Sequence, residues 1–545
     1  MTFRPASSRA VSATKAGPHS VRRWWALAAI AASALVVGLD LTVLTLALPT
    51  MAVSLHASTG DLQWITDAYS LVIAAAILPA GLLGDRYGRK RLLLAALAIF
   101  GVSSALCAYA SGTGELIAAR SVLGIGAAAI FPMALSVIPV MFAPEERQRA
   151  VAVMASATIL SFPIGPLVGG FLLDHFWWGS VFLINVPVVV IALAAVASLL
   201  PESRSSSRPG VDALGVAVSS VGLIALTYGC IKAGQNGWGD VAALATIGAG
   251  ALVLAAFVLI ERRVSGRGGH PLMDMPLFRS AGFRWGTILA TLVSFAMFGL
   301  FFAMPQYFQD VRGADALGSG LRLLPLIGGM LVGMIGGTRL LSPRKRPGGE
   351  PAPPAASPKL VVTAGFAVMA IAMAAGALTT LGSSTGYAAA WIAVAGLGLG
   401  LALPAAMNMA LGALSAERSG SGSALISALR QVGATIGVAV LGTLISNGYA
   451  SRVNLRGLPA SAAGIAKSGV AGGVQVAREL GSAPLLDSVR AAFVHGMDLM
   501  LWACGGIALL SALLALVFLP GQSAGAEAEV NSAPDVTPHS QVAQS

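Results

Sequence analysis

Apolar runs long enough to cross a lipid bilayer recur fourteen times along this chain. They lie at about residues 24–48, 64–84, 91–110, 115–139, 147–172, 178–200, 211–231, 240–260, 283–305, 318–340, 359–380, 386–413, 420–448 and 498–519. Each approaches the roughly 20 residues that a helix needs to span the hydrocarbon layer. No single soluble core can hide that much apolar surface: 56% of the 545 residues are hydrophobic, 10% are charged, and the mean hydropathy is +0.80. Lipid must be the solvent for most of the chain. The expected fold class is an all-α polytopic membrane protein with 14 transmembrane helices.

An even number of crossings puts both termini on one side. Most of the 34 Lys and Arg residues fall in the N-terminal tail and in every second loop, including Arg22, Arg23, Arg147, Arg149, Arg262, Arg263 and Arg344 to Arg346. Short loops rich in these residues stay in the cytoplasm, so both ends are expected there. The same placement explains the formal charge of +11 as a topology signal, with no nucleic-acid partner. No small-residue cleavage site follows the 24–48 run at a useful distance, so that run is expected to be a retained helix and not a signal peptide. Residues 342–358 read as a flexible Pro-rich linker, and the polar tail after Pro520 reads as disordered. Segment 449–497 is too polar to span and is expected to form short amphipathic helices outside the membrane. Cys107, Cys230 and Cys504 sit in apolar runs without metal-like spacing and are read as small buried residues. Arg far outnumbers Lys and Ala and Gly abound, the composition of a GC-rich bacterial genome.

Between the second and third runs lies Gly81-Leu82-Leu83-Gly84-Asp85-Arg86-Tyr87-Gly88-Arg89-Lys90-Arg91. Its glycines let two helices approach and turn. Asp85 can cap a helix or pair with a base, and the cations Arg86, Arg89, Lys90 and Arg91 can hold carboxylates, helix C-termini or anionic headgroups. The order of these residues resembles the loop between helices two and three of the major facilitator superfamily. Other segments resemble, more narrowly, its fourteen-helix drug:proton antiporters: Leu39 to Pro49, Arg120 with Gly124, Gly126 and Ala127, Gly165-Pro166-Leu167-Val168-Gly169-Gly170, and Phe182 to Pro187. Pro305 to Gln309 and Arg430-Gln431-Val432-Gly433 extend the likeness into the second half, so it covers about residues 24–519. Departures are Leu123 where the family often has Gln, Ser161 where its antiporter motif usually begins with Gly, and the missing Asp after Gly336-Gly337-Thr338-Arg339.

The resemblance implies a cytoplasmic tail 1–23, a six-helix bundle 24–200, two inserted helices at 211–260, a second six-helix bundle 283–519, and a cytoplasmic tail 520–545. It implies a monomer in the bacterial cytoplasmic membrane whose two bundles rock about a midplane site. The implied function is export of amphipathic drugs in exchange for protons, with the proton gradient as energy source and no cofactor. Gly81, Gly84, Asp85, Arg86, Gly88, Arg89 and Lys90 would form a cytoplasmic gate, and Gly165, Pro166, Gly169 and Gly170 the antiporter motif, where missing side chains and a missing backbone donor allow a kink and close packing.

Depth adds a reading that the resemblance does not supply. At about 1.5 Å per residue, Asp40 lies roughly 13 Å inward from Pro49, Asp67 about 5 Å from the outer start of its helix, and Arg120 about 8 Å from the start of its own. Intramembrane charges are functional candidates by default. Burial favours the neutral acid and a nearby guanidinium the carboxylate, so Asp40 is the first candidate for carrying the proton. A permanent Asp40–Arg120 pair that only holds two helices in register is the other reading, and both stay open. Asp67 is a second candidate, or a solvated carboxylate at a helix start.

Arg430, Gln431 and Asn408 either line a cavity or satisfy one another. The ninth run crowds Phe295, Met297, Phe298, Phe301, Phe302, Met304 and Tyr307, a surface suited to lipophilic molecules, of which Phe295, Phe298 and Met304 are cavity candidates. Relatives that export quaternary ammonium compounds carry acids where this chain has Gly329, Met330, Ile426 and Ser427. That favours lipophilic antibiotics or monocations over dications. Export of a self-made metabolite and a passive channel or receptor are the alternatives. The chain has no Gly-x-x-x-x-Gly-Lys-Ser/Thr loop of an ATP-driven pump and no hydrolase elbow, so an enzyme is not expected.

Overall fold

The computed structural model describes residues 18–520 apart from 58, 143, 203–212, 238, 267–274, 342–343, 346–350, 353–354 and 413–418. Helices dominate it. The first half holds α1 (Pro18–Ser54), α2 (Thr59–Tyr87), α3 (Arg89–Ala108), α4 (Thr113–Met141), α5 (Pro144–His175), the single turn α6 (Ser180–Leu183) and α7 (Asn185–Leu199). Next come α8 (Ala213–Asn236) and α9 (Val241–Gly266). The second half holds α10 (Ala281–Gln306), which runs into a π-helical turn over Tyr307–Val311, then α11 (Ala316–Leu341), α12 (Pro358–Gly376), α13 (Thr385–Gly412), α14 (Ser419–Arg452), α15 (Ala460–Ser468), α16 (Val470–Glu479) and α17 (Ala483–Phe518).

Among the described residues, twelve helices are long and apolar enough to cross a membrane. The other two expected crossings coincide with α2 and α5, of 29 and 32 residues, so fourteen is compatible with the fold. Several helices outrun the apolar sequence that announced them. The last begins at Ala483, where apolar continuity starts only near 498, because Ser482 accepts the Leu485 N–H and Pro484 fits the first turn. Polar segment 449–497 thus divides into the end of α14, two short helices and the start of α17. In the 342–358 linker, Arg344–Lys345 pairs antiparallel with Pro351–Ala352, a short closure where only flexibility was expected. The tails before residue 18 and after 520 lie outside the described residues.

The two halves repeat one packing scheme. In the first, α1 packs on α5 and α7, α2 on α4, and α3 on α4 and α7. In the second, α10 packs on α14 and α17, α11 on α13, and α12 on α13 and α17. Each half buries its own apolar core, one around Phe100, Leu123 and Ile130, the other around Phe366, Ile392 and Leu501. The halves meet along two seams, α2 with α14 and α5 with α11, and α8 packs against both members of the first.

Candidate functional site

Asp40 and Arg120, 80 residues apart in sequence, meet in the middle of the first half. Arg120 donates to the Asp40 carboxylate at 2.6 Å, and both side chains are fully enclosed. Arg120 also donates from Nε to the Ile65 carbonyl at 3.2 Å and lies 4.3 Å from the centre of the Tyr69 ring. Asn185 donates to the other Asp40 oxygen at 3.4 Å and to Ser104 Oγ at 3.0 Å, and Ser104 donates onward to the Phe182 carbonyl. Five helices, α1, α2, α3, α4 and α7, therefore converge on one carboxylate. Such a pair is stable when its remaining hydrogen-bonding capacity is met. Here Arg120 Nη2 stays unmet. The sequence indicated the pair; it gave no role to Asn185, Ser104 or Tyr69. An Asn just before Pro187 in an apolar run was the available signal for the first.

Asp67 is also brought inside, at 1% exposure, and neither of its carboxylate oxygens has a hydrogen-bond partner. The sequence left Asp67 either a second proton candidate or a solvated carboxylate at a helix start. It is buried because α2 begins at Thr59, two turns earlier. Thr66 and Ser70 on the same helix face a void of about 10 Å³ between the halves, closed by Leu41, Thr45, Phe298, Phe302 and Thr435.

The Gly165 to Gly170 segment is the physical link between Asp40 and the second half. Gly165 lies directly on the Thr42 side chain, and a β-carbon on Gly169 would come 2.8 Å from the Val43 side chain, so α5 touches α1 within one turn of Asp40. On its other side α5 meets α11: a β-carbon on Gly170 would stand 2.6 Å from Leu317 Cα, and one on Gly320 would stand 2.5 Å from the Pro166 carbonyl. Asp174 accepts the Leu317 N–H at 3.2 Å, and Gln309 donates to the Leu46 carbonyl at 3.2 Å. The seam is closed at the end predicted to face outward.

At the opposite end the chain turns from α2 into α3 through Gly88 alone, at φ +116°. The Glu202 carboxylate sits against this turn, accepting the Lys90 N–H at 3.3 Å and lying 3.6 Å from Arg91. Lys90 Nζ caps α7 at the Ala197 carbonyl, 2.7 Å away. Gly84 packs on Met133, Gly81 has open space around it, Arg89 is half-buried, and Arg86 is exposed over the Tyr87 ring. The Asp85 side chain lies outside the described residues.

In the second half the candidates separate. Phe298 and Phe302 reach the void between the halves, whereas Phe295 and Met304 belong to the packed core. Arg430 donates to Ser294 Oγ at 3.1 Å and approaches Met407 Sδ at 3.8 Å. Gln431 Nε2 is buried without a partner, and Asn408 is exposed and makes no described bond to either. Gly329 lies directly on the Ala393 carbonyl of α13, leaving no volume for an acidic side chain there. Two acids of this half escaped the sequence reading. Asp310, 9% exposed, lies beyond the ninth apolar run on the π-helical turn that continues α10, and Asp498 lies four turns into α17.

A model of the Major Facilitator Superfamily matches residues 30–438. Among curated relatives, a tetracenomycin C resistance and export protein from Streptomyces glaucescens is 33% identical, with 93% of each chain covered. The multidrug efflux pump LfrA from Mycolicibacterium smegmatis is 34% identical over 87% of this chain and 92% of its own. The methyl viologen resistance protein SmvA from Salmonella typhimurium is 32% identical over 90% and 97%. In fold, the chain is similar to a bacterial homologue of the human lysosomal transporter Spinster in an inward-facing, occupied conformation, with a TM-score of 0.65 at 16% identity over 92% of this chain and 97% of that one. With the helical repeat, the two seams and these likenesses together, the chain belongs to the Major Facilitator Superfamily of multi-pass membrane transporters.

Proposed function

We propose that this protein exports lipophilic or monocationic drugs across the bacterial cytoplasmic membrane in exchange for protons, as a monomer with both termini in the cytoplasm, and so confers drug resistance. The observation that carries this reading is the enclosed Asp40–Arg120 pair, joined through α5 to the opposite half. A proton reaching Asp40 cancels the charge that holds Arg120, whose remaining partners are the Ile65 carbonyl and the Tyr69 and Phe182 rings. α1 is then free to shift against α4. Because Thr42 and Val43 are seated on Gly165 and Gly169, a shift of α1 moves α5, and α5 bears on Leu317 at the seam. Loss of the proton restores the pair and reverses the motion. That is a two-state element biased by one ionisation, as coupled exchange requires.

The cargo class is supported by the apolar and hydroxyl groups between the halves, Phe298, Phe302, Thr45, Thr66 and Thr435, and by the export and resistance roles named for the relatives. The domain limits 24–200, 211–260 and 283–519 fit the repeated packing, with α8 and α9 as the insertion. The gate role of Gly81 to Lys90 is supported by the single-residue turn at Gly88 held by Glu202. The test uses inverted vesicles loaded with a pH-sensitive dye, energised, and given candidate drugs one at a time. Drug-induced proton efflux is expected from the natural chain and none from Asp40→Asn; undiminished exchange by that variant overturns the assignment.

A further inference from the structure

A second cavity, of about 370 Å³, lies outside the closed seam, among the predicted outer ends of α1, α10 and α14, with α15 and α16 as its roof. Its walls mix apolar and aromatic groups, including Val53, Phe302, Ile445 and Phe493, with polar ones, His56, Gln306, Ser446, Ser468 and Gln475. Among the described residues, one acid opens onto it. Asp310 is nine-tenths buried, and its Oδ2 has no hydrogen-bond partner. The π-helical turn accounts for this placement: Arg312 donates to the Tyr307 carbonyl at 3.0 Å, five residues back, and Ala314 to the Phe308 carbonyl at 2.9 Å, so the helix is locally widened and underwound just where Asp310 lies. The Tyr449 hydroxyl on the wall is engaged elsewhere: it donates to the Ala466 carbonyl at 2.6 Å and so ties α14 to the roof. Arg478 on α16 is the cation whose field reaches Asp310, and no ion pair joins the two.

We propose that this cavity binds an amphipathic organic monocation, with Asp310 as its counter-ion and the Phe302 and Phe493 rings as its apolar bed. The size suits a drug-sized molecule, in the range of roughly 300–1,000 Å³ typical of such sites. A buried acid without a partner is costly to keep, and a ligand cation that also covers apolar wall removes that cost. One acid and no second carboxylate on the wall select a single positive charge. Its position at the predicted outer helix ends, meeting the central void only at Phe302, makes it an outer vestibule, where an exported cation rests before release. That last role rests on the export reading; the binding site itself does not.

The test introduces Gln475→Cys, on the cavity wall, in sealed right-side-out vesicles; the three native cysteines are buried. Thiol labelling is timed with two membrane-impermeant methanethiosulfonates, one carrying trimethylammonium and one sulfonate, each normalised to a free thiol. The cationic reagent is expected to lead by about tenfold, the scale of electrostatic focusing in a charged cleft. Asp310→Asn is expected to remove that lead and Asp310→Glu to retain it. Tetraphenylphosphonium is expected to slow labelling when an acid is at position 310 and to leave it unchanged with Asn. Equal normalised rates for the two reagents, or no protection by tetraphenylphosphonium in the chain with Asp310, overturn the proposal even if the Asn variant does not fold. The export reading fails separately: protection without drug-induced proton efflux in the dye assay removes the export role and leaves the site.

Discussion

Leu317, on the first turn of α11, rests against the bare backbone of Gly170 on α5, with no room between them for a methyl group. The closed outer seam therefore depends on the absence of a side chain here, as it does at Gly320 against Pro166. Gly170→Val is expected to overpack it by about 1–3 kcal/mol, lowering the closed-to-open ratio about five- to 150-fold. Drug export should fall accordingly while the protein still inserts and unfolds at an ordinary temperature. Vesicle export together with thermal unfolding in detergent checks this; full export would show that the seam does not need to close.

The Asp40–Arg120 pair yields a sharper test of its two readings. Removing one member strands a buried charge, at about 3–5 kcal/mol, so Arg120→Met is expected to lower the unfolding temperature clearly. The double variant Asp40→Asn, Arg120→Met leaves no stranded charge and should recover most of that loss. A purely structural pair predicts that exchange returns with stability. Proton coupling through Asp40 predicts that exchange stays lost in the double variant.

Asp67 should behave in the opposite sense. Its carboxylate is enclosed without a partner, so Asp67→Leu is expected to stabilise the fold by about 1–3 kcal/mol. Sites that trade stability for activity are common where function needs an awkward group. Exchange in the dye assay should therefore slow as the unfolding temperature rises. A variant that is both stabler and equally active would remove Asp67 from the proton pathway.

The turn at Gly88 makes a fourth case. Its φ of +116° is closed to residues with a side chain, and the Glu202 carboxylate occupies the space a β-carbon would take, 2.6 Å away. Gly88→Val is expected to cost about 1–3 kcal/mol through backbone strain. The neighbouring Arg91–Glu202 pair is largely exposed on the Arg91 side, so Arg91→Ala should change stability by at most about 1 kcal/mol. Side-by-side melting curves of the two variants test that order.

Much of this was legible in the sequence for a simple reason. Lipid allows few backbone solutions, so apolar length alone located the helices, and an Asp and an Arg at similar depth had few partners besides each other. What stayed hidden depended on helix ends. The start of α17 is specified by Ser482 and Pro484 and not by hydropathy, which concealed how deep Asp498 lies. The π-helical turn has no comparable signature, and Asp310 falls beyond the end of the ninth apolar run. Asn185 read only as part of a family segment, because its reach to Asp40 depends on the packing of α7 on α1. The separation of Asn408 from Arg430 likewise follows from which way α13 is rotated.

Returning to α8, it lies across the groove where α2 and α14 adjoin, and no described helix lies likewise over the groove between α5 and α11. The molecule is consequently one-sided toward its solvent. A greasy compound dissolved among acyl chains therefore meets α8 on one flank and the bare, tightly packed α5–α11 contact on the other.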